Sequence, residues 1–172
     1  MNSMQNIFLV GPMGSGKSTI GRQLALHLGK DFFDSDREIE SKTGVDIALI
    51  FEIEGEAGFR KRESRMIEEL SARQGVIIAT GGGVVLSEDN RRCLSRSGIV
   101  FYLKSSAQRL FERTVRDKQR PLLNTDDRKQ TIEKLLQERN PLYEEVADYT
   151  ISTDSEPVKQ IIGDICRYLG EE

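Results

Sequence analysis

The sequence predicts an α/β fold: five parallel strands in one doubly wound sheet, with helices on both faces. Three observations carry this expectation. Five short apolar runs recur along the chain, longer amphipathic segments alternate with them, and a glycine-rich turn joins the first run to the first helical segment. Strand–helix alternation of this kind requires crossover connections, and so a parallel sheet covered on both sides.

The runs are Ile7-Phe8-Leu9-Val10, Asp31-Phe32-Phe33, Val76-Ile77-Ile78-Ala79, Ile99-Val100-Phe101-Tyr102-Leu103 and Tyr149-Thr150-Ile151. They are β-branched or aromatic and bounded by Gly or polar residues, as expected of strands buried on both faces. Helices are read between them. Ile20, Leu24 and Leu28 recur every fourth residue before Gly29, a stop signal. Phe59, Met66, Ile67 and Leu70 line a face ending near Gly75, and Ile132, Leu135 and Leu136 line another that should end before Pro141. Val158, Ile161, Ile162, Ile165 and Leu169 mark the last. The polar stretch from Asp117 to Lys129 reads as a long surface loop of the kind that serves as a lid.

A chain of 172 residues supports one domain with a substantial core. The single-domain reading, 1–172, includes a substrate-binding subregion at about 36–64 and a lid at about 113–126. Net charge is −3, so no global basic field argues for nucleic acid or an anionic membrane, although Arg113, Arg116, Lys118 and Arg120 cluster against one acid, Asp117. Cys93 and Cys166 sit in no CxxC and read as reduced helix residues. The stretch from Met1 to Val10 has no basic leader and only a four-residue apolar run, and no segment is long enough to span a bilayer. A cytoplasmic location follows as the expectation, with no nucleic-acid or membrane partner and a monomeric state.

Gly11-Pro12-Met13-Gly14-Ser15-Gly16-Lys17-Ser18-Thr19 fits G-x-x-x-x-G-K-[ST] between an apolar strand and an amphipathic helix. Glycines let backbone N–H groups turn inward around phosphate oxygens, and the following helix adds its positive end. Lys17 supplies a point charge for the outer phosphates, and the Ser18 hydroxyl is a ligand for Mg²⁺. Gly14, Ser15, Gly16, Lys17, Ser18 and Thr19 form the expected nucleotide cradle.

The acceptor side is less direct. Asp34 and Asp36 follow the second strand, where ligands gather in doubly wound sheets. One carboxylate suits metal-bound water and the other a substrate hydroxyl, but Ser35 or Asp36 could equally cap a helix running through Glu38 to Lys42. Arg60 follows Phe59 and can pair with Glu56 or Glu63 on its own helix. Gly81-Gly82-Gly83 ends the third strand and permits either close approach of a ligand or a flexible turn. Arg120-Pro121-Leu122-Leu123 lies in the lid stretch, where an arginine can close on a transferring phosphoryl group or remain solvated. Arg139 reads as a helix-end residue able to cap carbonyls or grip a carboxylate. His27, the only histidine, reads as structural and mid-helical.

Taken in order and spacing, Gly11 to Thr19, Asp34-Ser35-Asp36, Gly58-Phe59-Arg60, Gly81-Gly82-Gly83, Arg120-Pro121-Leu122-Leu123 and Arg139-Asn140-Pro141-Leu142-Tyr143 resemble bacterial shikimate kinases over nearly the whole chain. The resemblance implies a P-loop, nucleoside-monophosphate-kinase-like fold with a lid. It also implies transfer from ATP to the 3-hydroxyl of shikimate, on the route to chorismate and aromatic amino acids. Lys17, Asp36 and Arg120 would then carry the chemistry. Ser18 would ligate Mg²⁺ and Asp34 would act on its waters. Asp36, Arg60, Gly82 and Arg139 would bind shikimate, with the arginines on its carboxylate. Arg113, with residues around Asp154 to Pro157, would meet the adenine, and Arg120 would stabilise the transferring phosphate. A gluconate or nucleoside monophosphate kinase would share the cradle. A GTP-binding switch would carry Asp-x-x-Gly and a guanine motif, and the sequence has neither.

Overall fold

A computed structural model describes residues 2–114 and 127–171. The strands are β1 (Asn6–Val10), β2 (Asp31–Asp34), β3 (Val76–Ala79), β4 (Gly98–Lys104) and β5 (Tyr149–Ser152). The helices are α1 (Lys17–Leu28), α2 (Ser35–Thr43), α3 (Ile47–Ser71), α4 (Glu88–Ser97), α5 (Ala107–Thr114), α6 (Arg128–Val146) and α7 (Val158–Leu169). The sheet order is β2-β3-β1-β4-β5 and every pairing is parallel.

Period-2 alternation in β1 divides the interior into two cores. Phe8 and Val10 join Ile78, Val100 and Tyr102 beneath α3, α4 and α6. Ile7 and Leu9 join Ile77, Phe101 and Leu103 beneath α1 and α7. The chain leaves β1 for β2 across the α1 face and returns through β3, β4 and β5 across the opposite face. Reversing direction while keeping right-handed crossovers requires that change of face. It also leaves a crevice beyond the carboxyl ends of β1, β2 and β3, which is where the loops described below converge.

All five strands fall where the apolar runs predict, but the edge strands depart from burial on both faces. In β2 no residue is fully buried, and in β5 only Ile151 is. Each has one neighbouring strand, so solvent reaches it along the open edge.

The helices bring larger corrections. The helix of Phe59 begins upstream at Ile47 and is interrupted at Gly55, whose φ of 73° and ψ of 177° only glycine adopts readily. The helix of Ile132 does not stop before Pro141. It continues to Val146, because buried Tyr143 and Val146 anchor its last turns in the core and outweigh one lost backbone bond. Arg139 is therefore interior to α6, not at its end. The N-cap of α2 is Asp34, not Ser35 or Asp36. Helices α4 and α5, which the apolar periodicity did not single out, are mostly polar, each burying few residues such as Leu94 and Leu110. His27 lies in the exposed last turn of α1 rather than its middle. Lys129 belongs to α6, not to the loop before it. Among the described residues no helix is long and apolar enough to cross a membrane.

Candidate active site

The loop after β1 turns through Gly11, Gly14 and Gly16 at φ values of 149°, 83° and 93°. Two of these positions also lack room for a side chain. A Cβ at Gly11 would lie 2.6 Å from the Leu103 carbonyl oxygen, and one at Gly14 would lie 2.7 Å from the Thr114 methyl. Gly16 is the N-cap of α1, with no side-chain cap and no acid in the first turn. The first amides of α1 thus keep their donor capacity and positive end for an anion. The Lys17 ammonium lies inside the loop, donating to the carbonyls of Gly11 at 2.7 Å and Pro12 at 2.8 Å. Gly14, Gly16, Lys17, Ser18 and Thr19 line an open cleft of about 620 Å³, while Ser15 is buried behind it.

Asp34 performs two tasks. Its Oδ1 accepts from the amides of Asp36 at 3.0 Å and Arg37 at 3.2 Å, capping α2. Its Oδ2 accepts from the Ser18 hydroxyl. One oxygen of this carboxylate caps α2, the role the sequence assigned to Ser35 or Asp36, and the other meets Ser18. Ser35, fully buried, accepts from the Gly81 amide at 3.1 Å. Asp36 faces the cleft together with Gly81 and Gly82.

The glycine triplet is neither left-handed nor loose. None of its φ angles is positive, and its backbone is bonded at several points. What it supplies is space for side chains from other elements. A Cβ at Gly81 would approach Asp36 Oδ1 to 2.8 Å and Glu63 Oε2 to 2.9 Å, and one at Gly83 would overlap the Arg60 guanidinium. The glycines admit these acceptor-side groups to the end of β3.

Arg60 pairs with both anticipated partners on α3, Glu63 at 3.0 Å and Glu56 at 3.2 Å. The first pair is not a surface bridge, because Glu63 is 1% exposed. Burial pushes the Glu63 carboxyl up from its ordinary range, against the opposing pull of Arg60 and then Arg139. Arg139 is 5% exposed and, among the described residues, forms no salt bridge. The Nε groups of Arg60 and Arg139 are buried without a hydrogen-bond partner. Both arginines line a small pocket with Asp36, Gly82, Met13 and Phe51 that opens beside the large cleft. A buried guanidinium with an unmet Nε donor and no salt bridge among the described residues is costly unless a ligand supplies the anion.

Arg113 ties three loop ends together, donating to the Gly14 carbonyl at 3.0 Å, Ser105 at 3.3 Å and the Thr153 carbonyl at 2.9 Å. That brings it beside Asp154, whose carboxylate accepts from the Ser106 amide at 2.9 Å, and so beside the segment paired with it in the sequence reading. Arg120 lies outside the described residues. Sequence reasoning gave Ser35 and Tyr143 no site role and treated Glu63 only as an ion-pair partner. The spacing of three between Arg60 and Glu63 was the available signal for the last.

The donor set at Ser18 and Asp34 fits Mg²⁺. A hydroxyl and a carboxylate oxygen in direct contact are hard ligands on the wall of the cleft. Among the described residues no cluster of three or more His, Cys, Asp or Glu could cage a metal. Mg²⁺ keeps most of its waters and is held by one or two protein oxygens plus substrate phosphates, which is what this pair provides for.

A family model described as shikimate kinase matches residues 13–169. The chain is 58% identical to a shikimate kinase of Actinobacillus succinogenes, covering 96% of this chain and 95% of the relative. It is 53% identical to one of Vibrio parahaemolyticus, covering 99% of each. The fold superposes with a TM-score of 0.95 on a shikimate kinase from Acinetobacter baumannii in complex with shikimate, at 47% identity over 97% of this chain and 93% of that one. With a nucleotide cradle at one end of the crevice and Arg60 beside the buried Arg139 at the other, the chain belongs to the shikimate kinase family.

Proposed function

We propose that this enzyme transfers the γ-phosphoryl group of ATP to the 3-hydroxyl of shikimate, giving shikimate 3-phosphate and ADP. The observation that carries the reading is Arg139: buried, without a salt-bridge partner among the described residues, and set beside Asp36 and Gly82 next to the nucleotide cradle. A small hydroxy acid brings the missing carboxylate, which planar guanidinium forks bind best.

Shikimate sits with its carboxylate toward Arg60 and Arg139 and its ring hydroxyls toward Asp36 and the Gly82 amide. ATP phosphates lie on the amides of Gly14 to Thr19. Lys17 exchanges its two carbonyl partners for phosphate oxygens when the nucleotide arrives. Ser18 and Asp34 would hold Mg²⁺, which would supply positive charge against the phosphates. As the 3-hydroxyl oxygen bonds to the γ-phosphorus, the bond to the ADP oxygen breaks and the hydroxyl proton passes to Asp36. Asp36 orients the nucleophile throughout, which matters more than its basicity if the transition state is loose. Arg113 covers the adenine side with the segment following β5, and Arg120 adds positive charge at the transferring group.

The test is ADP release from Mg²⁺-ATP with shikimate, gluconate, a nucleoside monophosphate or water as acceptor. Shikimate-dependent turnover well above the other three is expected. A higher rate with gluconate or the nucleotide would leave the cradle intact and overturn the acceptor assignments.

A further inference from the structure

The walls of the acceptor pocket are held by residues that do not themselves line it. Tyr143 is fully buried on α6, four residues after Arg139 and so on the same face. Its hydroxyl donates to the Gly82 carbonyl at 2.5 Å. On the other side, Ser35 Oγ accepts from the Gly81 amide. The Gly81 carbonyl accepts from Val84 at 3.2 Å, and the Gly83 carbonyl accepts from Leu86 at 3.1 Å. Glycine at three consecutive positions makes the backbone entropically expensive to order, yet four of its six backbone polar groups are claimed.

One consequence is directional. The chain contains no cis peptide among its described residues. In a trans, planar unit the N–H points opposite to the C=O. With the Gly81 carbonyl committed to the turn at Val84, the Gly82 N–H of the same peptide points away from that turn. Gly82 also lines the pocket that Met13, Asp36 and Arg139 share.

We infer that Tyr143, assisted by Ser35, is a positioning residue: it clamps the peptides on either side of the Gly82 amide so that this N–H is presented to a ring hydroxyl of the acceptor. This rests on the acceptor reading above. The hydroxyl suits the task because it stays protonated. Burial pushes its pKa up strongly, against an opposing pull from Arg139, while the facing Tyr102 adds a smaller rise. The tyrosine ring is itself fixed by tilted packing on Tyr102, 5.0 Å between centroids, and Tyr102 donates to Asn140 on the same helix.

The experiment is steady-state kinetics of Tyr143→Phe, which removes the hydroxyl and keeps the ring. The shikimate KM should rise roughly 5- to 30-fold, a typical loss for one hydrogen-bond arrangement, while the ATP KM stays within about twofold. Tyr102→Phe is the control. It removes a hydroxyl from the same packed pair but touches only Asn140, so it should lower the melting temperature without splitting the two KM values. Ser35→Ala loosens the triplet from the opposite side without touching α6, and it should reproduce the split even if Tyr143→Phe folds poorly. Equal rises in both KM values, or an unchanged shikimate KM in both Tyr143→Phe and Ser35→Ala, overturns the assignment. Absence of shikimate-dependent turnover in the unmodified enzyme would instead overturn the acceptor reading on which it rests, and the two failures are told apart by that one control reaction.

Discussion

Gly83→Ala perturbs the acceptor pocket through a single methyl group. The backbone at Gly83, φ −95° and ψ 6°, is accessible to alanine, so the chain should still fold. The added Cβ, however, would stand 2.6 Å from Arg60 Cζ, against an ordinary contact of 3.4–4 Å. The guanidinium must retreat by about 1 Å or more, enough to spoil a two-bond grip on a carboxylate. A charge-assisted hydrogen bond is worth about 1.5–3 kcal/mol, so the shikimate KM should rise roughly 10- to 150-fold. Retreat also strains the pair with Glu63, which is buried, so the melting temperature should fall by a few degrees. The assay is a double-mutant cycle with Arg60→Ala, reading the shikimate KM. If the methyl acts through Arg60, Gly83→Ala adds little once Arg60 is gone. Additive effects of the two changes would refute the reasoning, and an unchanged KM in Gly83→Ala alone would show that Arg60 does not grip the substrate.

Three further outcomes are expected. Lys17→Ala should cut turnover by at least about 100-fold with far-UV circular dichroism unchanged, because the ammonium serves phosphate charge rather than core packing; near-normal turnover would undo the assignment of the cradle. Arg139→Ala should raise the shikimate KM by roughly 10- to 100-fold and the ATP KM far less, measured by varying each substrate at saturation of the other. Glu63 predicts a pH dependence. Its folded pKa lies above its ordinary value of 4.5, so the stability its protonation contributes is present below 4.5 and is lost as pH rises through the folded pKa. Melting curves should therefore show wild type losing ground to Glu63→Gln as pH is raised from about 4.5 toward neutrality; a constant difference would refute the burial argument.

The strands were legible because hydrophobic burial writes itself into short β-branched runs, and β1 and β3 are nearly all apolar. The cradle was legible because phosphate binding constrains consecutive residues. The extension of α6 through Pro141 was not, because what holds it is tertiary: Tyr143 and Val146 enter a core assembled from distant strands. Likewise Gly55 breaks α3 through a backbone angle, while the flanking residues remain good helix formers. In the acceptor site the residue types were visible and the alternatives were not exclusive. Arg60 does pair along its helix, and Asp34 does cap one. Local readings described the Arg60 pairs correctly and put the cap one or two residues late, on Ser35 or Asp36. They could not show that Gly81, Asp36 and Glu63 meet, since residues 36, 63 and 81 come together only when α2, α3 and β3 pack.

The short segment Asp34-Ser35-Asp36 spans the donor and acceptor halves within three consecutive positions: one side chain toward Ser18, the next toward Gly81, the third toward the cleft. Such a hinge point resists modular redesign. A single-residue insertion or deletion here would shift the carboxylate that meets Ser18, the buried tether to Gly81 and the carboxylate in the cleft together. On the acceptor assignment proposed above, new acceptor preferences are more accessible through Arg60 and Arg139, which stand on separate helices and can change one at a time.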